Sequence, residues 1–272
     1  MHRSSQTHRL AWRRAASPGS ALRCAVRAAA VLLALILTGS VHATEAAAQW
    51  RFETMPFLWA AGQDGTIDFE EFHADLDIGF GDLIGEVDGA LMLPVVGRNG
   101  RWGLRFEIVY VDISDQDADV SDTVIESVDY QANHRIMELA PSYSVFKVGP
   151  ASVDVVAGGR YTRVENIFTF GGDSIMEMSL ELQDRWIEPL IGIQAGGAVK
   201  RWTFAAHGDI GGFGVGADFT WQAFGYVGYT FSPRLTIRGG YRHFDTEFED
   251  RDDDFIFDVT MSGLMIGASF RF

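Results

Sequence analysis

The sequence predicts an all-β fold: a closed, antiparallel, up-and-down transmembrane β-barrel of about ten strands, with eight strands as the alternative. Segments of about ten residues carry an apolar side chain at every second position, which is the period of a strand with one apolar face. Short and long connections separate these segments in turn, as they do in membrane-spanning barrels. Beyond residue 43, no apolar run approaches the roughly 18 residues of a membrane-spanning helix. A closed barrel can still cross a membrane, because closure pairs every backbone polar group between strands.

The first 43 residues have the composition of a cleaved signal peptide. Six arginines and no acidic residue occupy positions 1 to 27, and an apolar run from Ala28 to Thr38 follows. We expect cleavage after Ala43, with Ala48 as the alternative, because small residues there suit signal peptidase. We then expect residues 44–272 to form the β-barrel domain. The single cysteine, Cys24, lies in the leader, so a disulfide framework is excluded from the domain.

The composition excludes one class of partner. The chain has 22 basic and 37 acidic residues, a formal net charge of −15. Cleavage removes the six leader arginines and no acidic residue, so the domain keeps 16 basic and 37 acidic residues, a formal charge of −21. A surface this acidic does not attract nucleic acid, and we expect no nucleic-acid partner.

Ten segments of the domain follow the strand pattern. The first, residues 50–61, has the weakest alternation. The clearest is residues 102–110, where Trp102, Phe106 and Tyr110 share one face, and an Asn-Gly turn pairs it with residues 87–96 as a hairpin. The remaining segments are residues 130–146, 153–161, 187–199, 202–210, 219–231, 235–241 and 255–272.

The connections between these segments form two groups. Tight turns at one end of the barrel comprise residues 97–100, 148–150, 199–201 and 232–234. The other connections, most of them longer, comprise residues 62–86, 115–127, 171–178, 211–217 and 246–254. Because ten is even, both ends of the domain lie with the tight turns, which is the periplasmic side of such barrels. We interpret the glycine-rich stretch 211–216 as an outer turn. If it were a kink within one strand, the number of strands would no longer be even, and a barrel of eight strands would be favoured.

Aromatic residues lie near both ends of the segments, where a barrel meets the membrane interfaces. We expect one girdle near the tight turns, made by Trp102, Trp202, Phe231, Phe270 and Phe272. We expect a second girdle near the opposite ends, made by Trp59, Tyr110, Tyr161 and Trp221.

The C-terminal segment alternates apolar residues with small or polar ones and stops on an aromatic residue. Its last six residues, Gly267-x-x-Phe270-x-Phe272, resemble the terminal signal that hands bacterial outer-membrane β-barrel proteins to their assembly machinery. Met265 is a mild departure, since the signal usually has a polar residue at that position.

Three further stretches carry a wider resemblance. They are Phe57-Leu58-Trp59-Ala60-x-Gly62-x-x-Gly65, Asp209-x-Gly211-Gly212-Phe213-Gly214-x-Gly216-x-Asp218-x-x-Trp221 and Gly240-Tyr241-Arg242. With them, the whole domain resembles the small proteobacterial outer-membrane β-barrel protein families, many of whose members are uncharacterised. The resemblance implies an outer-membrane location, with outer-membrane lipids, lipopolysaccharide and the assembly machinery as partners. It brings no assigned activity.

The face opposite the apolar one carries charges of both signs. They are Arg105, Glu107, Glu138, Asp154, Arg160, Glu188, His207, Asp209, Arg238 and Arg242. A barrel of eight to ten strands is narrow enough for side chains to fill it, and charges buried there should pair. We therefore expect an integral outer-membrane barrel with a largely side-chain-filled polar lumen and a structural or surface-binding role. The alternative is a narrow porin-like channel lined by the same residues.

A membrane-embedded hydrolase acting on lipid or peptide is the third hypothesis. A histidine oriented by a carboxylate can activate water, and the candidates are His207, Asp209, His243 and Asp245. The alternation turns His207 inward and His243 outward, so the two histidines should not share a face. No serine with an adjacent histidine base stands out. We expect no enzyme activity, no catalytic residue and no cofactor.

Two acidic stretches lie in the predicted outer connections. Residues 115–126 place carboxylates at positions 1, 3, 5 and 12 of a calcium-loop spacing, but Val120 stands where the tight turn requires glycine. Residues 245–254 are more acidic still. We expect solvated acidic loops that share divalent cations with the phosphates of outer-membrane lipids, and no defined metal site.

Overall fold

The computed structural model describes residues 50–69, 72–79, 87–117, 127–172, 175–250 and 254–272. The described residues all belong to the second of the two units into which the chain divides, residues 46–272. The predicted signal peptide and both candidate cleavage sites lie outside the described residues, so the leader stays a prediction. Within the described ranges, no helix is long and apolar enough to cross a membrane.

The described part of the second unit is built from antiparallel strands. In chain order they are β1 (Arg51–Thr54), β2 (Phe57–Phe69), β3 (Phe72–Ile78), β4 (Val87–Asn99), β5 (Trp102–Asp117), β6 (Ser127–Val148), β7 (Ala151–Gly172), β8 (Ile175–Val199), β9 (Trp202–Val215), β10 (Ala217–Ser232), β11 (Leu235–Asp250) and β12 (Phe255–Arg271).

These strands close into a ten-stranded barrel. β1 and β2 together act as one wall strand, and from β4 onward each strand pairs with the next along the chain. β12 closes the barrel against this first wall strand, with Phe255 opposite Phe69 and Gly267 opposite Phe57. β3 forms an additional hairpin with β2. The predicted barrel of about ten strands is confirmed, and the eight-stranded alternative is wrong.

A proline interrupts the first wall strand between β1 and β2. Pro56 has no backbone N–H to donate to a neighbouring strand. Both neighbours nevertheless bond across the gap: the Met55 N–H donates to the Pro94 carbonyl at 3.0 Å, and the Ala268 N–H donates to the Pro56 carbonyl at 3.2 Å. The first segment, which has the weakest alternation, therefore still closes the barrel against β12.

The two ends of the barrel differ in their connections. At the end that holds Arg51 and Arg271, here called the turn end, two-residue turns join successive strands at residues 100–101, 149–150, 200–201 and 233–234. Gly100 and Gly149 have φ values of 62° and 56°, a region that glycine enters without a steric penalty. The four predicted tight turns are confirmed. The opposite end is here called the loop end.

The glycine-rich stretch reverses the chain at the loop end, as predicted. β9 ends at Val215 and β10 begins at Ala217. Gly216, between them, has a φ of 76°, and a Cβ there would overlap the Ile187 carbonyl oxygen. Both the backbone conformation and the close approach to β8 therefore require glycine, and the stretch is not a kink within one strand.

Several strands extend far beyond the predicted segments. β6, β7 and β8 contain 22, 22 and 25 residues, whereas a membrane-spanning strand needs about ten. Only residues 173–174 separate β7 from β8, so the predicted connection at 171–178 was too long. Among the extra residues of β7 and β8 whose side chains are described, most that face outward are polar, for example Arg163, Glu181 and Arg185, and their composition therefore resembles that of a loop.

Along the long strands, the apolar side chains switch from the outward to the inward face. On β12, Leu264 and Ile266 point outward and are each 61% exposed, whereas Phe257 and Val259, on the other side of Ser262, point inward and are buried. The reversal divides the barrel into two zones. An apolar belt about ten residues tall lies next to the turn end, which suits a membrane. Beyond it, towards the loop end, lies an extension with a polar outer wall.

Aromatic side chains edge the belt at the turn end. Trp102 and Trp202 are 60% and 49% exposed, and each packs edge-on against a tyrosine: Trp102 against Tyr143 with ring centroids 5.0 Å apart, Trp202 against Tyr229 at 5.2 Å. Trp59 does not join the second predicted girdle. Its side chain is only 2% exposed and faces the lumen. The weak alternation of its segment did not define which way this side chain points.

Candidate functional site

The ten predicted lumen charges all lie inside the barrel, and none of these residues is more than 6% exposed. Asp154 and Arg238 lie nearer the turn end, where Arg98 and Glu53 respectively bind them. The other eight meet across the middle of the lumen in one connected group, here called the central ion cluster: Arg105, Glu107, Glu138, Arg160, Glu188, His207, Asp209 and Arg242.

Arg160, on β7, is the hub of this cluster and is fully buried. Its Nη1 donates to the Glu188 carboxylate at 2.8 Å and to the Thr220 hydroxyl at 3.0 Å. Its Nη2 donates to Glu138 at 3.3 Å and also binds Asp209. Three carboxylates from three different strands therefore share one guanidinium group.

Gln222, an uncharged residue on β10, joins the two halves of the cluster. Its amide nitrogen donates to Glu138 at 2.9 Å and to Asp209 at 2.6 Å. Its amide oxygen accepts a hydrogen bond from Arg242 at 2.6 Å, and Arg242 in turn binds Glu107. The acidic side chains around Arg160 are thus linked to a second arginine through a neutral amide.

The charges of the cluster nearly balance. Three arginines face four carboxylates, and His207 is the eighth ionisable group. Arg105 binds Glu107 and lies 3.8 Å from Glu138, so each arginine contacts at least one carboxylate. The side chains come from β5 to β9 and β11, so the cluster cross-links most of the barrel wall. Removing one partner from a buried network of this kind is far more damaging than breaking a surface pair.

His207 is one of four cluster members that keep a buried polar atom without a hydrogen-bond partner among the described residues. Its Nε2 lies 2.6 Å from Asp209 Oδ2. Because a carboxylate only accepts, Nε2 carries the proton, and Nδ1, which has no partner among the described residues, is an acceptor in the neutral ring. Glu138, His207 and Asp209 each offer a ligand atom within 4.8 Å of one another. Arg160 already binds both carboxylates, so this geometry favours an ion-pair cluster over a metal centre.

Apolar side chains fill the lumen on the loop-end side of the cluster. Trp186 stacks on Phe248 with ring centroids 4.1 Å apart, and its indole N–H donates to Glu188 at 3.2 Å. This layer, here called the apolar plug, consists of Ile67, Leu76, Val111, Ile136, Val164, Phe168, Leu182, Trp186, Phe244, Phe248, Phe255, Phe257, Val259 and Met261. The expectation of a polar filling is therefore wrong for most of this layer, because the apolar side chains of the strands switch to the inward face there.

Sequence reasoning missed two neutral residues that hydrogen-bond to the central ion cluster. Thr220 and Gln222 occupy alternate positions on β10 on either side of the outward-facing Trp221. The predicted alternation of that segment already placed both inward, but only charged side chains were considered as lumen residues. Glu53 was missed because it lies in the poorly alternating first segment, and Arg98 because it lies in a predicted turn.

The candidate hydrolytic residues do not form one site. His207 and Asp209 lie in the lumen, whereas His243 lies on the outer surface, where its ring centroid is 4.4 Å from that of Trp221. Asp245 follows two residues later on the same outward face of β11. The expected separation of the two histidines is confirmed.

The outer wall of the extension is acidic. Its carboxylates, here called the acidic face, are Asp64, Asp68, Asp75, Asp77, Asp218, Asp245, Glu247, Glu249 and Asp258. Two pairs stand directly opposite each other on neighbouring strands, Glu247 with Asp258 and Asp64 with Asp77. Like charges in this position destabilise a sheet.

Partial burial raises the pKa of Glu247, and repulsion from Asp258 and Asp245 raises it further. The pKa of Asp258 is raised by burial first and by Asp245 second. A carboxyl group with a raised pKa in the folded state lowers stability at neutral pH, and the loss is recovered as the pH falls through the raised value. Residues 118–126 of the predicted calcium-loop spacing, and residues 251–253 of the second acidic stretch, lie outside the described residues.

The residues of the predicted assembly signal lie where the C-terminal end of the barrel meets the first wall strand. Phe270 precedes Phe272 by two residues, and the Phe272 N–H donates to the Phe52 carbonyl at 3.0 Å. At Gly267, a Cβ would overlap the Pro56 carbonyl oxygen. Glycine is therefore required for the close approach of the strands there. Recognition of these residues by the assembly machinery stays a prediction.

A ten-stranded antiparallel barrel with an apolar belt and a filled lumen has the fold of outer-membrane β-barrel proteins. No protein-family profile matches the chain, and no curated protein sequence matches it. Among solved structures, the outer membrane protease OmpT from Escherichia coli is similar, with a TM-score of 0.54 and 8% identity over 86% of this chain and 100% of OmpT.

Two further solved structures match less well. A major outer membrane protein from Thermus thermophilus has a TM-score of 0.44 and 12% identity over 82% of this chain and 100% of its own. The attachment invasion locus protein Ail of Yersinia pestis has a TM-score of 0.37 and 13% identity over 82% of this chain and 98% of Ail. The likeness to OmpT shows the fold, and at 8% identity it transfers no activity.

Proposed function

We propose that this chain is an integral outer-membrane protein with a sealed lumen, and that it serves a structural or surface-binding role through its loop-end extension. The observation that carries the proposal is the double filling of the lumen. The central ion cluster occupies the middle of the barrel, and the apolar plug fills the extension beyond it. A conducting channel would need a hydrated path past both layers.

The proposed orientation places the turn end in the periplasm and the loop end outside the cell. Short turns and both ends of the described chain lie at the turn end, which is the arrangement of outer-membrane barrels. A signal peptide of residues 1–43 would deliver the chain to the periplasm. Gly267, Phe270 and Phe272 would then be read by the assembly machinery at the periplasmic edge.

The lumen is expected not to conduct ions. Refolded protein inserted into planar lipid bilayers should give no discrete current steps, because paired charges and packed apolar side chains leave no hydrated path. Heat-modifiable migration of the same preparation on a gel verifies that folded protein is present, so that an absence of current caused by unfolded protein is not mistaken for a sealed lumen. Discrete and reproducible steps would overturn the seal and favour the narrow porin-like channel.

The acidic face is expected to respond to divalent cations, which we propose it shares with the phosphates of lipopolysaccharide. At neutral pH and constant ionic strength, millimolar Mg²⁺ should slow proteolysis of the β11–β12 hairpin, because it weakens the repulsion between Glu247 and Asp258. As the pH falls towards about 4, protonation removes that repulsion and the Mg²⁺ effect should disappear.

Two variants test the cause of this response. Asp258→Asn should protect the hairpin without Mg²⁺, because it removes one carboxylate of an opposed pair. Glu181→Gln is the control, since Glu181 is an exposed carboxylate of the extension that stands opposite Ile167 and no other acid. Equal protection by both variants would show that the opposed pairs have no special role.

A further inference from the structure

Three arginines stand side by side on the outer wall of the barrel, where the belt meets the extension. Arg135 on β6 lies directly opposite Arg163 on β7, and Arg163 lies directly opposite Arg185 on β8. All three point outward, and this set is here called the arginine row. Arg135 and Arg185 are exposed, and Arg163 is half-buried. Like charges directly opposite each other destabilise a sheet, so the packing of the barrel gives no reason for the row.

Most of the charge of the arginine row is uncompensated. Arg163 pairs with Glu165 at 3.7 Å. The Nε of Arg135 donates to the neutral side chain of Asn133 at 3.1 Å. Among the described residues, no carboxylate pairs with the side chain of Arg135 or Arg185. The row therefore keeps two positive charges in excess, whereas the acidic face lies on the other side of the barrel, on β2, β3 and β10 to β12.

The arginine row adjoins the apolar belt. On each of the three strands, the next outward residue towards the turn end is apolar or aromatic: Met137, Tyr161 and Ile187. Met137 and Ile187 are 39% and 68% exposed. In the proposed orientation, the lipid headgroups of the outer leaflet meet the barrel at this edge of the belt. Guanidinium groups bind phosphate through paired hydrogen bonds, so a lipid phosphate at this edge would meet matching donors.

A trough runs from the arginine row into the belt. Its floor is β7, whose outward residues Gly159 and Ala157 are small. Larger side chains stand on the neighbouring strands: Leu139 lies opposite Gly159 on β6, and Ile191 lies opposite Ala157 on β8. Leu139 and Ile191 are each 53% exposed, so they form two walls. At Ala157 the trough opens into a groove of about 880 Å³ on the outer surface of the belt. An apolar space of this kind, open to the bilayer, suits an acyl chain.

We propose that the arginine row binds the phosphate groups of lipopolysaccharide in the outer leaflet, with one of its acyl chains in the trough. This inference rests on the proposed function, which places the loop-end edge of the belt in that leaflet. A phosphate monoester carries a charge of about −1.5 to −2 at neutral pH, which matches the excess charge of the row. Arg135 and Arg185 donate charge-assisted hydrogen bonds to the phosphate, and close packing in the trough holds the lipid in position.

The test uses the full chain folded in micelles of dodecyl maltoside, an uncharged detergent, and fluorescently labelled lipid A with both of its phosphate groups as the probe. The same lipid with both phosphate groups removed is the matched ligand control, and empty micelles give the background. We expect saturable binding of the phosphorylated lipid and binding of the dephosphorylated lipid that is weaker by about tenfold or more. Equal affinity for the two lipids, or no saturable binding of the phosphorylated one, would overturn the proposal.

Variants with matched charge locate the site. The double variant Arg135→Gln and Arg185→Gln removes the two arginines that pair with no described carboxylate, and it should weaken lipid A binding by about tenfold or more. The double variant Arg201→Gln and Arg234→Gln is the control, because it changes the net charge equally at exposed positions of the turn end. It should leave the affinity unchanged. Equal losses in the two double variants would show that only the net charge matters and would overturn the site.

The trough has its own pair of variants. Ala157→Leu fills the floor of the trough and should weaken lipid A binding severalfold. Ala206→Leu is the control, since Ala206 is an exposed alanine on the outer face of β9 that lies outside the groove. Unchanged affinity in a folded Ala157→Leu variant would show that no acyl chain lies in the trough.

Competition identifies the source of the phosphate. Millimolar inorganic phosphate should not displace the labelled lipid, and displacement by it would show a site for a free anion instead. Phosphatidylglycerol, a phosphodiester with one negative charge, should compete more weakly than unlabelled lipid A, and equal competition would contradict the choice of lipid. Heat-modifiable migration verifies that each variant is folded. If the folded protein fails to bind lipid A and still gives no current in bilayers, this inference is wrong and the sealed lumen stands.

Discussion

Replacing Arg160 with methionine is expected to lower the free energy of unfolding by about 3 to 5 kcal/mol, the range for removing one partner of a buried ion pair. Methionine is also a long, unbranched side chain, but it leaves Glu138, Glu188 and Asp209 without the cation that they share. The measurement is the urea unfolding transition in phospholipid vesicles, followed by tryptophan fluorescence, with heat-modifiable migration to quantify the folded fraction.

Arg163→Met is the matched control for this variant. Arg163 lies three residues further along β7 and pairs with Glu165 at 3.7 Å, but the two side chains are 35% and 29% exposed. Breaking an exposed pair of this kind is worth at most about 1 kcal/mol. Equal losses for the two arginine variants would show that Arg160 is not the hub of the lumen.

Adding Asp209→Asn to the Arg160→Met variant gives a second comparison. Once the arginine is gone, Asp209 is an uncompensated buried charge, so its neutralisation should restore part of the lost stability. Such coupling is expected of groups within one network and absent between independent sites. Losses that simply add would contradict the network.

The barrel could be predicted because the pattern that defines a membrane-spanning strand can be recognised within that strand alone. A strand that faces lipid must present apolar side chains at every second position, and residues 102–110 show this without reference to any neighbour. The same local rule placed ten charges on the inward face. It could not say which charges meet: Arg160 and Asp209 are 49 residues apart and come together because β7, β8 and β9 lie side by side.

The extension could not be predicted in the same way. Phe257 and Val259 occupy odd positions of β12, whereas Leu264 and Ile266 occupy even ones, so the apolar phase shifts by one residue near Ser262. The shift is visible in the sequence. The sequence alone does not say which face each set of apolar residues occupies. Apolar side chains are favoured both on the outer face of the belt, against lipid, and on the inner face of the extension, in the packed lumen. The inward aromatic residues of the plug were therefore missed, although the strands that carry them were found.

Truncating Trp186 to alanine is expected to destabilise the barrel by about 3 to 5 kcal/mol, the range for removing a large buried aromatic side chain. The variant loses the stacking on Phe248 at 4.1 Å, and it removes the N–H donor from Glu188. It also leaves a void in the apolar plug that the surrounding strands, fixed by their ladders, cannot close completely. Urea unfolding in vesicles again supplies the measurement.

Trp202→Ala removes the same side chain from the outer surface of the belt and is the matched control. Trp202 is 49% exposed, and its edge-on contact with Tyr229 at 5.2 Å is worth about 1 kcal/mol. Trp186→Phe separates the two losses at the buried site, since phenylalanine keeps an aromatic ring beside Phe248 but has no N–H for Glu188. If Trp186→Ala costs no more than Trp202→Ala, the plug is not tightly packed, and the ion cluster alone would have to hold the lumen closed.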